Sequence, residues 1–182
     1  MSADKMLGSA YVDRLTAVEQ SIYTEVELSQ LFNTLALALY QQAPIMEFWQ
    51  RMSRSEADQA LALEFEKWRI VREDLDHARI IYDDPALLKA FQRFDKLRSA
   101  VVHPLEVKQS LELGLKAENM VLDFQADRIL IADFGISDHV LTVIVETEER
   151  HREALERLLA ASDPAAELEK IELAGLDTII EA

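Results

Sequence analysis

A chain of 182 residues with 49% hydrophobic content and only four Gly and four Pro can bury one sizeable core and has few turn residues, so strands should be scarce. A formal charge of -15 counts against a nucleic-acid or anionic-membrane partner, because phosphate binding depends on Lys and Arg displacing counterions. The absence of cysteine excludes disulfides, thiolate zinc sites and iron–sulfur centres, and goes with a reducing compartment.

The opening stretch MSADKMLGSAYVDR lacks a basic start followed by an apolar core, and no apolar run approaches the roughly 18 residues that span a bilayer. The expectation is a soluble, cytoplasmic protein. From about Tyr11 to Gln41, apolar residues such as Ile22, Leu28, Phe32, Leu35 and Leu39 recur at helical spacing, and Pro44 is read as closing that helix. A second helix fits Ile45 to Glu73, and a short one fits Pro85 to Leu97 after the turn signal Asp83-Asp84-Pro85. His103-Pro104 marks a break.

A third long helix fits Leu105 to about Ile129, with Leu111, Leu115, Leu122 and Phe124 facing inward. Gly135 to Ser137 form a loop, and Ser137 or Asp138 is an expected N-cap. The last long helix runs from about Asp138 to Ala161, with Leu141, Ile144, Leu155 and Leu158 on one face. A tail with Leu168, Ile171, Leu173, Leu176 and Ile179 can add a short helix. The pattern predicts an all-α, single-domain four-helix bundle over 1–182: hairpins at about 11–73 and 105–161, a connector over 74–104 carrying a short helix, and a tail over 162–182.

The two hairpins repeat one acidic pattern. Glu25 is followed by Glu56 and Gln59, and Glu118 by Glu148 and His151, at offsets of 93, 92 and 92 residues, as a duplicated hairpin would give. Each glutamate lies on an apolar stripe: Glu25 between Ile22 and Leu28, Glu56 in the row Phe48, Met52, Leu63, Glu118 in Leu111, Leu115, Leu122, and Glu148 in Leu141, Ile144, His151, Leu155. Carboxylates crowded into a low-dielectric core lose hydration worth several kcal/mol per ion, so they must be protonated, paired or bound to cations. A metal pair answers this best. In E-x-x-H, Glu and His three apart project from one helix face toward one centre, and oxygen with imidazole ligands suits iron or manganese. An isolated E-x-x-H is weak evidence; its place in the repeat strengthens it.

At these residues the chain resembles the rubrerythrin family of the ferritin-like di-iron-carboxylate superfamily. EVELSQLFNTLA is similar to the first ligand helix, with Glu25 seven residues before Phe32; FWQRMSRSEADQALAL is similar to the helix that carries E-x-x-H; AENMVLDFQ and ETEERHREAL resemble the second pair. The resemblance implies a ferritin-like bundle in which Glu25 and Glu118 are terminal ligands, Glu56 and Glu148 bridge, and His151 supplies nitrogen to one iron. It also implies an oxidoreductase or ferroxidase acting on iron, dioxygen or peroxide, and a homodimer. Gln59 stands where the family has His, and no cysteines are present for the family's rubredoxin-type centre.

Gln59 has two readings: a substituted ligand beside a weakened metal position, or a buried polar residue kept after metal binding was lost. The second leads to a different class of function, a non-catalytic helical scaffold or binding protein with an empty, degenerate site. His77, His103 and His139 are expected at the surface or at caps, Phe48, Trp49 and Trp68 in the core, and the acidic runs Glu146 to Glu149 and Asp163 to Glu169 on solvated faces apart from Glu148.

Overall fold

The computed structural model of the chain describes the backbone of residues 3–73, 85–102, 104–126, 136–171 and 173–176. Along them run six α-helices and a 3-10 turn: α1 (Ala3–Ala38), α2 (Ala43–Glu73), α3 (Pro85–Ser99), α4 (Val107–Ala126), α5 (Asp138–Ala160), α6 (Pro164–Leu168) and η1 (Leu173–Leu176). No strand occurs among the described residues, so the chain is all-α. None of these helices is long and apolar enough to cross a membrane.

The helices α1 and α2 pack along each other as one hairpin and α4 and α5 as another, while α1 also touches α3 and α4, and α2 touches α5, α6 and η1. The stripes read from the sequence face this contact: Leu28, Phe32 and Leu35 of α1, Phe48 and Met52 of α2, Leu111 of α4 and Leu155 of α5 are fully or almost fully buried. Each such side chain contributes about 1.5–3 kcal/mol through burial, which is why a face and not mere propensity fixes each helix.

Some boundaries and faces differ from the sequence expectation. Helix α1 begins at Ala3 instead of Tyr11, and it ends at Ala38, before Gln41. Pro44 does not close α1; it lies in the first turn of α2, where a missing N–H costs nothing because no carbonyl waits for it. Trp68 is not a core residue. It is 59% exposed, because it sits on the α2 face opposite to the inward row of Glu56, Leu63 and Ile70, whereas Phe48 and Trp49 on the inward row are fully buried. Ser137 takes the N-cap position of α5 without a side-chain cap bond; its backbone N–H donates to Glu66 Oε2 at 3.2 Å.

The tail forms two short pieces where one helix was expected. Asp163 caps α6 by accepting from the N–H groups of Ala165 and Ala166, and Leu168 and Leu176 are buried. The predicted inward Leu122 and Phe124 side chains lie outside the described residues, as do His77, His103 and Ile179. His139 is exposed, as expected.

Trp49 anchors the larger apolar cluster. Its ring lies 5.2 Å from Phe32 and 5.0 Å from Phe48 between centroids, and its indole N–H donates to Ser110 Oγ at 3.2 Å. Only a glycine lets α4 approach it, since a Cβ on Gly114 would overlap the indole at Cη2 and come within 2.8 Å of Cζ3. Gly114→Ala is therefore expected to destabilise by up to about 2 kcal/mol: overpacking costs about 1–3 kcal/mol, offset by about 1 kcal/mol of helix propensity. A urea midpoint shifted upward instead would mean that Trp49 has room to move.

Candidate metal centre

Each long helix presents a polar side chain at one level, between two apolar clusters. One cluster contains Leu28, Met52 and Leu155; the other contains Ile22, Leu63 and Ile144. Between them lie Glu25 on α1, Glu56 and Gln59 on α2, Glu118 on α4, and Glu148 and His151 on α5, all with no exposed surface. Helical spacing fixes this: Glu25 is three residues from both Ile22 and Leu28, and Glu148 is four from Ile144 and seven from Leu155. The register of α1 on α2 is pinned one turn away, where the Ser29 hydroxyl donates to the Ser53 carbonyl at 2.8 Å and the Ser53 hydroxyl to the Ser29 carbonyl at 2.9 Å.

The six candidate residues are brought together. Glu56, Glu118 and His151 form one group and Glu25, Glu56 and Glu148 another, with the candidate ligand atoms of each group within 4.8 Å of one another. Glu56 belongs to both groups. Its Oε1 lies 2.7 Å from His151 Nδ1, and its Oε2 accepts from Gln59 Nε2 at 3.2 Å. His151 Nδ1 is also 3.4 Å from Glu118 Oε1. Of the two carboxylates assigned to bridging positions by resemblance, Glu56 sits in both groups and Glu148 in one.

The other nitrogen of His151 is fixed from outside the helix pair. Nε2 lies 2.8 Å from the Leu176 carbonyl oxygen. A carbonyl can only accept, so Nε2 carries the proton and Nδ1, facing the carboxylates, is left as a lone pair or as a second donor. The turn η1 packs on α2 and α5 and is anchored by the buried Leu176 side chain. This partner is a backbone group 25 residues away in sequence, so no side-chain motif announces it.

Burial raises Glu56 well above its ordinary value of 4.5, and the charges of Glu118 and Glu25 add to that. Burial likewise raises Glu148, with the charges of Glu56, Glu118 and Glu25 behind it. At His151 burial favours the neutral ring, but hydrogen bonding and charge from Glu118, the charge of Glu148 and the Leu176 carbonyl outweigh it and raise the pKa above 6.5. All three groups hold protons in the folded chain that the unfolded chain releases. The stability they contribute is complete below the unfolded values, and it is lost as pH rises through the folded ones. The metal-free protein is therefore expected to melt at progressively lower temperature from about pH 5 to pH 8, at about 1.4 kcal/mol per pH unit for each group still protonated only when folded. Calorimetry in chelator checks this, with Glu148→Gln flattening the slope; a wild-type slope of the opposite sign would contradict it.

The donor set could hold cations. With the carboxylates ionised, no donor among the described residues reaches Glu118 Oε2 or either oxygen of Glu148. Four carboxylates carry the charge that two divalent ions would cancel, and His151 adds one imidazole to an otherwise oxygen-only set. One group holds that nitrogen, and the Gln59 amide meets Glu56, which both groups share. Sequence reasoning missed a further buried carboxylate, Glu19, but this one is paired: Lys67 Nζ lies 2.9 Å from Glu19 Oε2 and 2.6 Å from Glu64 Oε1.

Comparison with protein-family models, curated proteins and solved structures found no match.

Proposed function

We propose that this chain is a ferritin-like di-metal carboxylate protein of the rubrerythrin type, an oxidoreductase or ferroxidase acting on iron, dioxygen or peroxide at an asymmetric iron site. The observation that carries the reading is the convergence of Glu25, Glu56, Glu118, Glu148 and His151 in two groups that share Glu56. Glu118 and His151 would hold one ion, Glu25 and Glu148 the other, with Glu56 spanning both. Two redox-active ions so held would supply electrons in pairs to dioxygen or peroxide.

The chain's own groups set the terms of that chemistry. The Leu176 carbonyl keeps His151 Nδ1 turned toward the carboxylates, as an outer hydrogen-bond partner does for a ligating imidazole. Complete burial of the cluster excludes bulky organic reactants and favours single cations and molecules of the size of dioxygen or peroxide. Anaerobic loading with ferrous iron, followed by elemental analysis and exposure to air, tests the reading. Two irons per chain and a ferric absorbance that rises faster than for free iron are expected. A folded chain that stays empty would reject it.

A second reading is favoured by one observation, the Gln59 amide hydrogen-bonded to Glu56 where a ligand imidazole would stand. On that reading the chain is a helical scaffold or binding protein with a degenerate site. Gln59→His separates the two. If the second position is crippled by the amide, its affinity for ferrous or manganous ion should rise at least about tenfold, since imidazole binds such ions better than a neutral amide. Unchanged affinity in a calorimetric titration would count against a crippled position.

A further inference from the structure

We infer that the groove between α3 and α4 is a binding site for a small amphipathic carboxylate, of which a medium-chain fatty acid is the simplest form. The groove has a volume of about 670 Å³, within the range that takes small ligands. It shares no residue with the metal centre, so the two stand or fall separately.

Its lining divides by chemistry. Leu97 of α3, Leu113 and Met120 of α4 and Leu159 of α5 supply apolar surface that continues into the larger core cluster. Around it stand Arg93 and Lys96, one turn apart on α3, with Lys116 and Asn119, one turn apart on α4. All four polar residues are exposed. Three cations against the single carboxylate of Glu112 give the groove a positive balance, on a chain whose Asp and Glu outnumber Lys and Arg by 34 to 19. None of the three is held in an ion pair among the described residues, whereas their neighbour Arg98 lies 2.7 Å from Asp95 and also meets Glu27.

The chemistry of the occupant follows from that lining. Apolar surface ringed by unpaired cations complements a ligand with an alkyl body and one anionic head. The lining residues of α3 and α4 stand beyond the first turns of their helices, where backbone N–H groups are already bonded along the helix. Without the helix N-terminus that phosphate sites use, only side chains meet the anion, and an Arg fork with one or two Lys suits a single carboxylate. An anionic bilayer is disfavoured by the acidity of the rest of the chain.

Calorimetric titration of the full chain with decanoate, below the concentration at which it forms micelles, tests the site. Saturable binding of one decanoate per chain is expected, with affinity falling about two- to fourfold for each methylene removed toward hexanoate. Decanol, which lacks the charge, should bind at least about tenfold more weakly. Arg93→Glu and Lys116→Glu should each cost at least about tenfold and Lys116→Arg little, with helical content unchanged because both residues are exposed. Ala100→Trp, which crowds the groove without touching a charge, should weaken binding at least as much. No saturable heat at either of two temperatures, an affinity indifferent to both charge reversals, or decanol bound as tightly as decanoate would overturn the site. Decyl phosphate bound at least about tenfold more tightly than decanoate would overturn the carboxylate head. A wild-type dimer that dissociates in Lys116→Glu would give the groove to a second copy and overturn the small ligand.

Discussion

Glu56→Ala is expected to weaken both cation positions at once, each by at least about 100-fold, whereas Glu25→Ala should weaken one and spare the other. Glu56 is the residue common to the two groups, with one oxygen 2.7 Å from His151 and the other bonded to Gln59. Its removal leaves two ligands in each group, Glu118 with His151 and Glu25 with Glu148. Even outer-shell partners of a metal cost about 10–100-fold when removed, so a shared ligand should cost more. Glu25→Ala leaves the group of Glu56, Glu118 and His151 whole. Calorimetric titration with ferrous ion under anaerobic conditions resolves the pattern: one lost phase for Glu25→Ala, two for Glu56→Ala. Equal effects of the two substitutions would mean that Glu56 is not shared.

Loading both positions of the wild-type chain should raise its melting temperature by roughly 15–30 °C. Free ion at about a thousand times the dissociation constant contributes about 4 kcal/mol per position, and a domain of this size gains about 2–4 °C per kcal/mol. The same carboxylates burden the empty protein, where burial and mutual repulsion drive Glu56 and Glu148 toward the protonated form. Glu148→Met should therefore stabilise the metal-free chain by about 1–4 kcal/mol, the range found when buried charges give way to packed apolar groups. It should also abolish most of the gain on loading. Melting curves with chelator and with ferrous ion check both halves. A Glu148→Met variant destabilised without metal would mean that this carboxylate is satisfied by partners other than a cation.

The inward convergence of the glutamates could be read in the sequence because it follows from phase along a helix. Glu25, Glu56, Glu118 and Glu148 interrupt rows of residues that must face inward, and a carboxylate on such a row has nowhere else to point. The matching offsets between hairpins then placed the four at related depths. What could not be read came from contacts between elements. The partner of His151 is a backbone carbonyl, and Gly114 owes its identity to the Trp49 ring on another helix. Trp68 is expected in the core like Trp49, yet its phase puts it opposite Glu56, where it is exposed beside Leu61 and Phe65. Proline breaks helices and so suggests an end at Pro44, yet the first turn of α2 accepts it.

The most direct test of the centre is anomalous diffraction at the iron edge from crystals of the iron-loaded protein. Two peaks are expected within coordination distance of Glu56, one also beside Glu118 and His151 Nδ1 and the other beside Glu25 and Glu148. Fully loaded crystals with no peak between these side chains, or with iron only at surface carboxylates, would contradict the account.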